Sequence, residues 1–378
     1  MTKLEFACGD RTYLNNASVA PMPIASIMAI SDFLTKYSKM GPDSAESEPF
    51  VTEILRQTRK AISDIIKCQP DEIILTQSTT DGINAVASGL PHKDGAITLI
   101  RGMEHEHHSN FYPWLRRTNG HLQSLTIDEN GFFDMGDLRA IIKEGRTELV
   151  SLSHALYNTG AILAVEEVGE ILNSEHIPFF VDAAQSVGCL EVDVKKIGCN
   201  FMSFNGSKWL CGPMGMGIFY CSRKASDTLE PLGIGGESAT VYVDGYTKVA
   251  FKGMPEKFQT GFRNYAGAAG LVCSTKILSD YGFGNIRKRI SFLANFLRDG
   301  LSSIPGVTLY GPREDHLRTS IVPFTTNVAP KDAVKKLESN GLVLAVREIG
   351  EKKIIRASPH IFNTESQMED AIRVIKTL

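Results

Sequence analysis

From about residue 50 the chain alternates short, unbroken apolar runs with longer segments of helical periodicity. Residues 72–76 predict a strand, and 81–87 open a helix. Residues 96–100, 149–153 and 177–181 predict three more strands, with a helix over 165–172 between the last two. Residues 200–204 and 217–220 predict another two. Apolar runs without polar alternation suit strands buried on both faces, and the intervening helices imply a parallel sheet covered on both sides. From about residue 261 the texture changes. Helical patterns cover 266–279 and 283–303, short strands are expected near 308–310, 319–322 and 354–356, and an amphipathic helix spans 365–378. The fold class is therefore α/β, a large unit around a mostly parallel sheet joined near residues 255–265 to a smaller α+β C-terminal unit.

Composition narrows the possible partners. The 378 residues are 43% apolar, enough for a large core and too many for one ordinary domain. The 40 basic and 43 acidic residues leave a net charge of −3 without like-charge blocks, so neither nucleic acid nor an anionic membrane is expected as a partner. No apolar run approaches the roughly 20 residues of a membrane span, and the N-terminal residues lack a signal-peptide core. The expectation is a cytoplasmic protein. Seven cysteines (Cys8, Cys68, Cys189, Cys199, Cys211, Cys221 and Cys273) form no CxxC pair, which favours reduced, mostly buried thiols, and none follows Cys273.

In parallel sheets of this kind ligands bind at the carboxyl ends of the strands, so the polar residues there are the candidates. After 73–75 come Ser78, Thr79 and Thr80 ahead of a helix, either a simple cap or a phosphate site built on a helix N-terminus. After 97–100 the run from Glu104 to Asn110 holds His105, His107 and His108. In an extended segment His105 and His107 point one way and His108 the other, which suits a stacking or acid–base histidine better than a metal site. After 179–181 comes Asp182, then Gln185. That acid is a cap, a buried ion pair, or a carboxylate facing a cationic ring nitrogen. After 202–204 come Asn205, Gly206, Ser207 and Lys208, with a glycine-rich turn beyond. Lysines are usually solvated, but one held among apolar residues has a lowered pKa and can form imines. A lysine, an acid, phosphate donors and a ring-stacking group are together what pyridoxal 5'-phosphate requires.

The chain resembles the class V aminotransferase family of fold-type I pyridoxal-phosphate enzymes. That family includes cysteine desulfurases, selenocysteine lyases, cyst(e)ine C–S lyases and isopenicillin N epimerase-like proteins. The resemblance runs from Tyr13-Leu-Asn-Asn-Ala17 to Ile355-Arg-Ala-Ser358. It implies a seven-stranded, mostly parallel sheet in a large cofactor-binding domain over 16–262, and a small domain formed by 1–15 and 263–378. By the same resemblance Lys208 holds the cofactor as a Schiff base, Asp182 pairs with the ring nitrogen, Gln185 meets the ring hydroxyl and His107 stacks on the ring. Thr79, Thr80, Asn205 and Ser207 surround the phosphate. Arg356 binds the substrate carboxylate, a task suited to a guanidinium, and Asn15, Asn16, Tyr157 and Asn158 line the substrate pocket. The resemblance further implies a homodimer with its sites at the interface, a small amino acid as substrate and no metal.

Departures from the family pattern sharpen the functional expectation. Desulfurases of this family carry a nucleophilic cysteine on a loop after an Ala-Val-Arg-like strand. Here that region reads Leu344-Ala-Val-Arg-Glu-Ile-Gly-Glu-Lys-Lys353, without cysteine. Many members have histidine where this chain has Ser207. Phe262 stands where a phosphate-binding threonine is usual, and Arg263 follows it. The run Ser153-His-Ala-Leu-Tyr-Asn-Thr-Gly160 resembles the C–S lyase and epimerase-like branch, with Tyr157 where desulfurases have asparagine. The expected activity is β-elimination from cysteine or cystine without a persulfide-forming cysteine. The alternatives are transamination or epimerisation, a non-catalytic cofactor-binding scaffold, and a metal-dependent enzyme using His105, His107 and His108.

Overall fold

The computed structural model describes residues 5–102, 105–243 and 248–378. Residues 1–4, which open the N-terminal stretch read above, lie outside the described residues, as do Glu104 of the histidine run and 244–247.

Two helices, α1 (Ile24–Met40) and α2 (Ser47–Ile66), precede the first core strand. The buried positions of α2, Leu55, Thr58, Ile62 and Ile66, recur at three- and four-residue spacing, so one stripe faces the core. The strands of the large sheet are β1 (Ile73–Thr76), β2 (Ile97–Ile100), β3 (Leu122–Ser124), β4 (Thr147–Ser153), β5 (Phe179–Asp182), β6 (Phe201–Asn205) and β7 (Gly217–Cys221). Their spatial order is β1-β7-β6-β5-β4-β2-β3. All pairings from β6 to β3 are parallel, while β7 runs antiparallel to both neighbours. Six of the seven strands therefore point the same way, and the expected mostly parallel sheet is present. Its central strands are apolar and buried on both faces, as the unalternating runs require. Strand β3 was not expected: it is short, only half buried and on the sheet edge, so it carries little apolar signal.

Helix α3 (Thr79–Gly89) leaves the end of β1, and α4 (Val165–Ser174) links β4 to β5. The C-terminal part begins with α5 (Tyr265–Tyr281) and α6 (Phe283–Ser302), and α6 packs on the last helix, α7 (Glu365–Ile375). A second, antiparallel sheet combines β8 (Thr308–Leu309), β9 (Val322–Thr325), β10 (Ala345–Ile349) and β11 (Lys352–Ala357) in the order β8-β9-β11-β10. The strand expected at 319–322 forms three residues later, because Thr319 and Ser320 are spent on Gly160 and Pro359. A two-residue strand at Thr12–Tyr13 pairs in parallel with Leu342–Val343, which ties the N-terminal segment to the C-terminal part.

Candidate active site

Five chain segments meet at the carboxyl ends of the parallel strands around a cavity of about 140 Å³. Its lining includes Thr79, Thr80, His107, Tyr157, Asp182, Gln185, Asn205 and Lys208. Register brings them together: Ser153 on β4 lies beside Asp182 on β5, and Asp182 beside Ser203 on β6. Gly217, opening β7, stands opposite both Thr76 and Asn205, and a Cβ there would collide with the backbone of Ser78. Glycine thus lets the N-terminus of α3 close down on the sheet. Ser78 caps that helix reciprocally with Asp81. Thr80 Oγ1 donates to Ser109 Oγ at 3.0 Å, and the Thr79 hydroxyl is buried without a partner.

Burial sets the ionisation of the central pair. Desolvation pushes the Lys208 amine down to about 8, partly opposed by the negative charge of Asp182. Desolvation likewise raises Asp182 to about 6, although the amide of Ala184 donates to its Oδ1 at 2.9 Å and Lys208 favours its anion. His107 is held down at about 4, first by burial and then by Lys208 and nearby cations. Its Nδ1 accepts from the amide of Ser109 at 3.2 Å, so the neutral ring carries its proton on Nε2. The ring meets that of Tyr157 edge-on, with centroids 5.0 Å apart. The three histidines do not converge. His105 is buried, His107 faces the cavity, and His108 stacks on Tyr112 at the surface.

Arg356, on β11, is 1% exposed. Its Nη1 donates to Tyr157 O at 2.7 Å, and its Nη2 to Ser18 Oγ at 2.6 Å and Asn15 Oδ1 at 3.3 Å. Every partner is neutral, Nε has none, and burial depresses the guanidinium's pKa. Gln185 is held at both ends, accepting from Trp209 Nε1 and donating to Ala17 O. Other expected residues stand outside the cavity lining. Asn16 donates to Ser358 O at 2.7 Å, Asn158 donates to Glu348 O, and Ser207 accepts the amide of Ala20 through its backbone carbonyl. Phe262 is 74% exposed, and Arg263 folds back on Gln259.

Sequence reasoning missed Ser18, Arg347 and Glu106. Glu106 is fully buried and accepts from the Ser153 amide, the Ser153 hydroxyl and Asn110 Nδ2, with Arg101 Nε at 3.5 Å. Its place beside His107 in the Glu-His-His-Ser-Asn run was a usable signal. Ser18 offered none.

The architecture has a known family. The description "Aminotransferase class-V" matches residues 12–371. The chain belongs to the aminotransferase class-V family. A protein of Methanothermobacter thermautotrophicus named as a probable cysteine desulfurase is 33% identical, over 95% of this chain and 92% of its own. The apo structure of the cysteine desulfurase from Thermococcus onnurineus NA1 superposes with a TM-score of 0.90 at 29% identity, covering 97% of this chain and 94% of its own. The cystine C–S lyase C-DES, solved with its product cysteine persulfide, shares the fold with a TM-score of 0.87 at 23% identity, covering 97% and 98%. Membership of this class-V family and the fold-type I architecture both follow the sequence reading. Among the described residues, no helix is long and apolar enough to cross a membrane.

Proposed function

We propose that the chain is a pyridoxal-phosphate-dependent enzyme that eliminates a sulfur group from Cβ of cysteine or cystine without a persulfide-forming cysteine. The residues fit the cofactor. Thr79 presents an orphaned buried hydroxyl beside the N-terminus of α3, where an anionic phosphate is favoured. Asp182 lies in a site that disfavours its charge, and a protonated ring nitrogen relieves that penalty. When bound, the cofactor supplies a protonated, conjugated ring that withdraws electrons from Cα of the substrate. Asp182 holds the proton at the ring nitrogen. His107 covers the ring as a neutral imidazole, and Thr79, Thr80, Asn205 and Ser207 hold the phosphate end. Arg356 fixes the substrate α-carboxylate, with Asn15 and Tyr157 positioning its guanidinium. Lys208, roughly half neutral near pH 8, takes the proton from Cα.

One observation carries the choice of reaction. Strands β10 and β11 pair as far as Ile349 and Lys352, so only Gly350 and Glu351 form the turn after Arg347. A two-residue hairpin leaves no loop to deliver a thiol, and none of the seven cysteines lines the cavity. The test is product analysis of the purified, cofactor-loaded protein with L-cystine and L-cysteine. Pyruvate with sulfide or persulfide, formed without an added acceptor, is the expected result. A keto acid formed only with an added amino acceptor assigns a transaminase instead. The same reading includes a homodimer, supported by exposed Leu232 and Phe262 in one groove and by Met214, 72% exposed, which precedes Gly215 and Met216 of the same groove. Light scattering is expected to give twice the chain mass.

A further inference from the structure

Arg101 and Glu106 are fully buried beside the turn that carries His107. Together they grip Ser153. Glu106 Oε1 accepts from the Ser153 amide at 2.9 Å, and Oε2 accepts from the Ser153 hydroxyl at 2.5 Å. Arg101 Nη2 donates to the Ser153 carbonyl at 3.1 Å, and its Nε stands 3.5 Å from Glu106 Oε1. Every polar group of Ser153 is thus held by one ion pair. Ser153 lines the cavity, in register with Asp182 on β5. The same carboxylate holds the turn. Asn110 Nδ2 donates to Glu106 Oε2 at 3.0 Å, while the Asn110 amide donates to the carbonyl of His107 at 2.7 Å. Glu106 therefore joins the end of β4 to the residues that place the His107 ring.

The orientation of this network is set from a distance. The indole N–H of Trp114 can only donate, and it donates to Asn110 Oδ1 at 2.9 Å, as does Ser151 Oγ at 2.7 Å. Asn110 Nδ2 is then obliged to face Glu106. Every described partner of Glu106 is a donor, so a carboxylate, which offers only acceptors, satisfies the position. A glutamine would set its NH2 against either the Ser153 amide or the Asn110 side chain. The charge also reaches the site, where it opposes ionisation of Asp182 and of Tyr157.

We propose that Glu106, paired with Arg101 and oriented through Asn110 by Trp114, is a positioning residue that fixes the gap between His107 and the Asp182 strand in which the cofactor ring is held. The inference rests on the reading of the cavity as a pyridoxal-phosphate site, and it adds no chemical step.

The test compares the cofactor-loaded parent with Glu106→Gln, Glu106→Asp and Trp114→Phe. Circular dichroism in the cofactor's own absorption band reports ring orientation without turnover. It is measured with kcat and KM for the amino acid that the parent turns over, and with melting curves. A merely structural role lowers the melting temperature and leaves the folded, loaded enzyme with the parent's dichroism and kcat. Glu106→Gln is expected to change the cofactor dichroism and to lower kcat by about tenfold to a hundredfold, the range for a small misplacement of reacting groups. KM should move less, because Arg356 is held elsewhere, by Ser18, Asn15 and the Tyr157 carbonyl. Glu106→Asp keeps the acceptors at shorter reach and recovers part of kcat. Trp114→Phe leaves the carboxylate in place and frees only Asn110, so it gives the same changes at smaller size. It also keeps the test available if Glu106→Gln does not fold. Parent-like dichroism and kcat in folded Glu106→Gln, or in Trp114→Phe where that variant is the one that folds, overturn this proposal alone. A parent that takes up no cofactor has no such band and overturns the cofactor reading with it, so the two failures are distinguishable.

Discussion

Asp182 is buried and Lys208 half-buried, and each biases the ionisation of the other. Desolvation drives both towards neutrality, and their mutual attraction opposes it. Between about pH 6 and pH 8 both are charged; above about 8 the amine is free to act. Removing the anion removes the contribution that raises the amine, so Asp182→Asn lowers the Lys208 pKa below about 8. The pH dependence of imine formation between the cofactor-free variant and phosphate-free pyridoxal, followed by absorbance, checks the sign, and an unchanged or higher value would falsify the pairing. Lys208→Ala is expected to reduce turnover by at least about 10²-fold, the range of a lost general base. Borohydride reduction should no longer leave cofactor mass on that variant. Both residues were legible because the signal is local: a polar residue at the end of an apolar strand has few other reasons to be there. Arg347 was not legible as a site residue, because its place beside Arg356 depends on strand register, and Ser18 reaches both arginines only through the folded N-terminal segment.

At the scale of elements, the apolar runs marked five of the six like-directed strands to within a residue or two, since burial on both faces leaves no room for alternation, while the half-buried edge strand β3 carried no such run. Strand direction was not legible: β7 has the same apolar texture as its neighbours yet runs the other way. Helix α3 started two residues earlier than its apolar pattern, at the position dictated by the Ser78 cap. Its fit to the sheet depends on Gly82, where a Cβ would collide with the side chain of Ser203 and crowd Phe219. Ser203 Oγ donates within reach of Thr79 O at 2.9 Å and Ile218 O at 3.0 Å, so it has little freedom to move. Gly82→Ala is expected to cost about 1–3 kcal/mol in chemical denaturation, the usual penalty for overpacking. It should also weaken cofactor retention, because the displaced helix carries Thr79 and Thr80. A variant as stable as the parent with unchanged retention would show that α3 has slack against β6.

For the whole molecule, distant parts of the chain converge on the site, and the burial that shapes it also fixes the response to acid. Asn16 and Ser358 bond across 342 positions, and Thr12–Tyr13 pairs with Leu342–Val343, so the N-terminal segment is built into the C-terminal part. His154 and His360 are each held near 4 by burial, and the more exposed His107 near 4 by desolvation of its ring together with nearby cations, against 6.5 for an ordinary histidine. In the cofactor-free protein these three stay neutral in the folded state while the unfolded chain protonates them as pH falls below 6.5. The unfolded state then binds more protons, so stability falls with falling pH until the folded rings titrate near 4. Asp182 acts in the opposite sense: raised to about 6 from 3.8, it takes a proton in the folded state first and gains stability over that window. His107 is exposed and its share is screened by solvent, so the two buried histidines against one carboxyl leave a net excess of about one proton on the unfolded chain between pH 6 and 4. That corresponds to a loss of roughly 1 to 2 kcal/mol per pH unit. Urea denaturation at pH 7, 6 and 5 measures the slope. His360, stacked on Trp209 and bonded to the backbone carbonyl of Trp209, lies away from the cavity lining. Its replacement, His360→Gln, should lower stability at neutral pH and reduce the acid slope by about half of the buried-histidine contribution. A slope unchanged in that variant would mean that His360 protonates in the fold as readily as in the unfolded chain, and that acid sensitivity arises elsewhere.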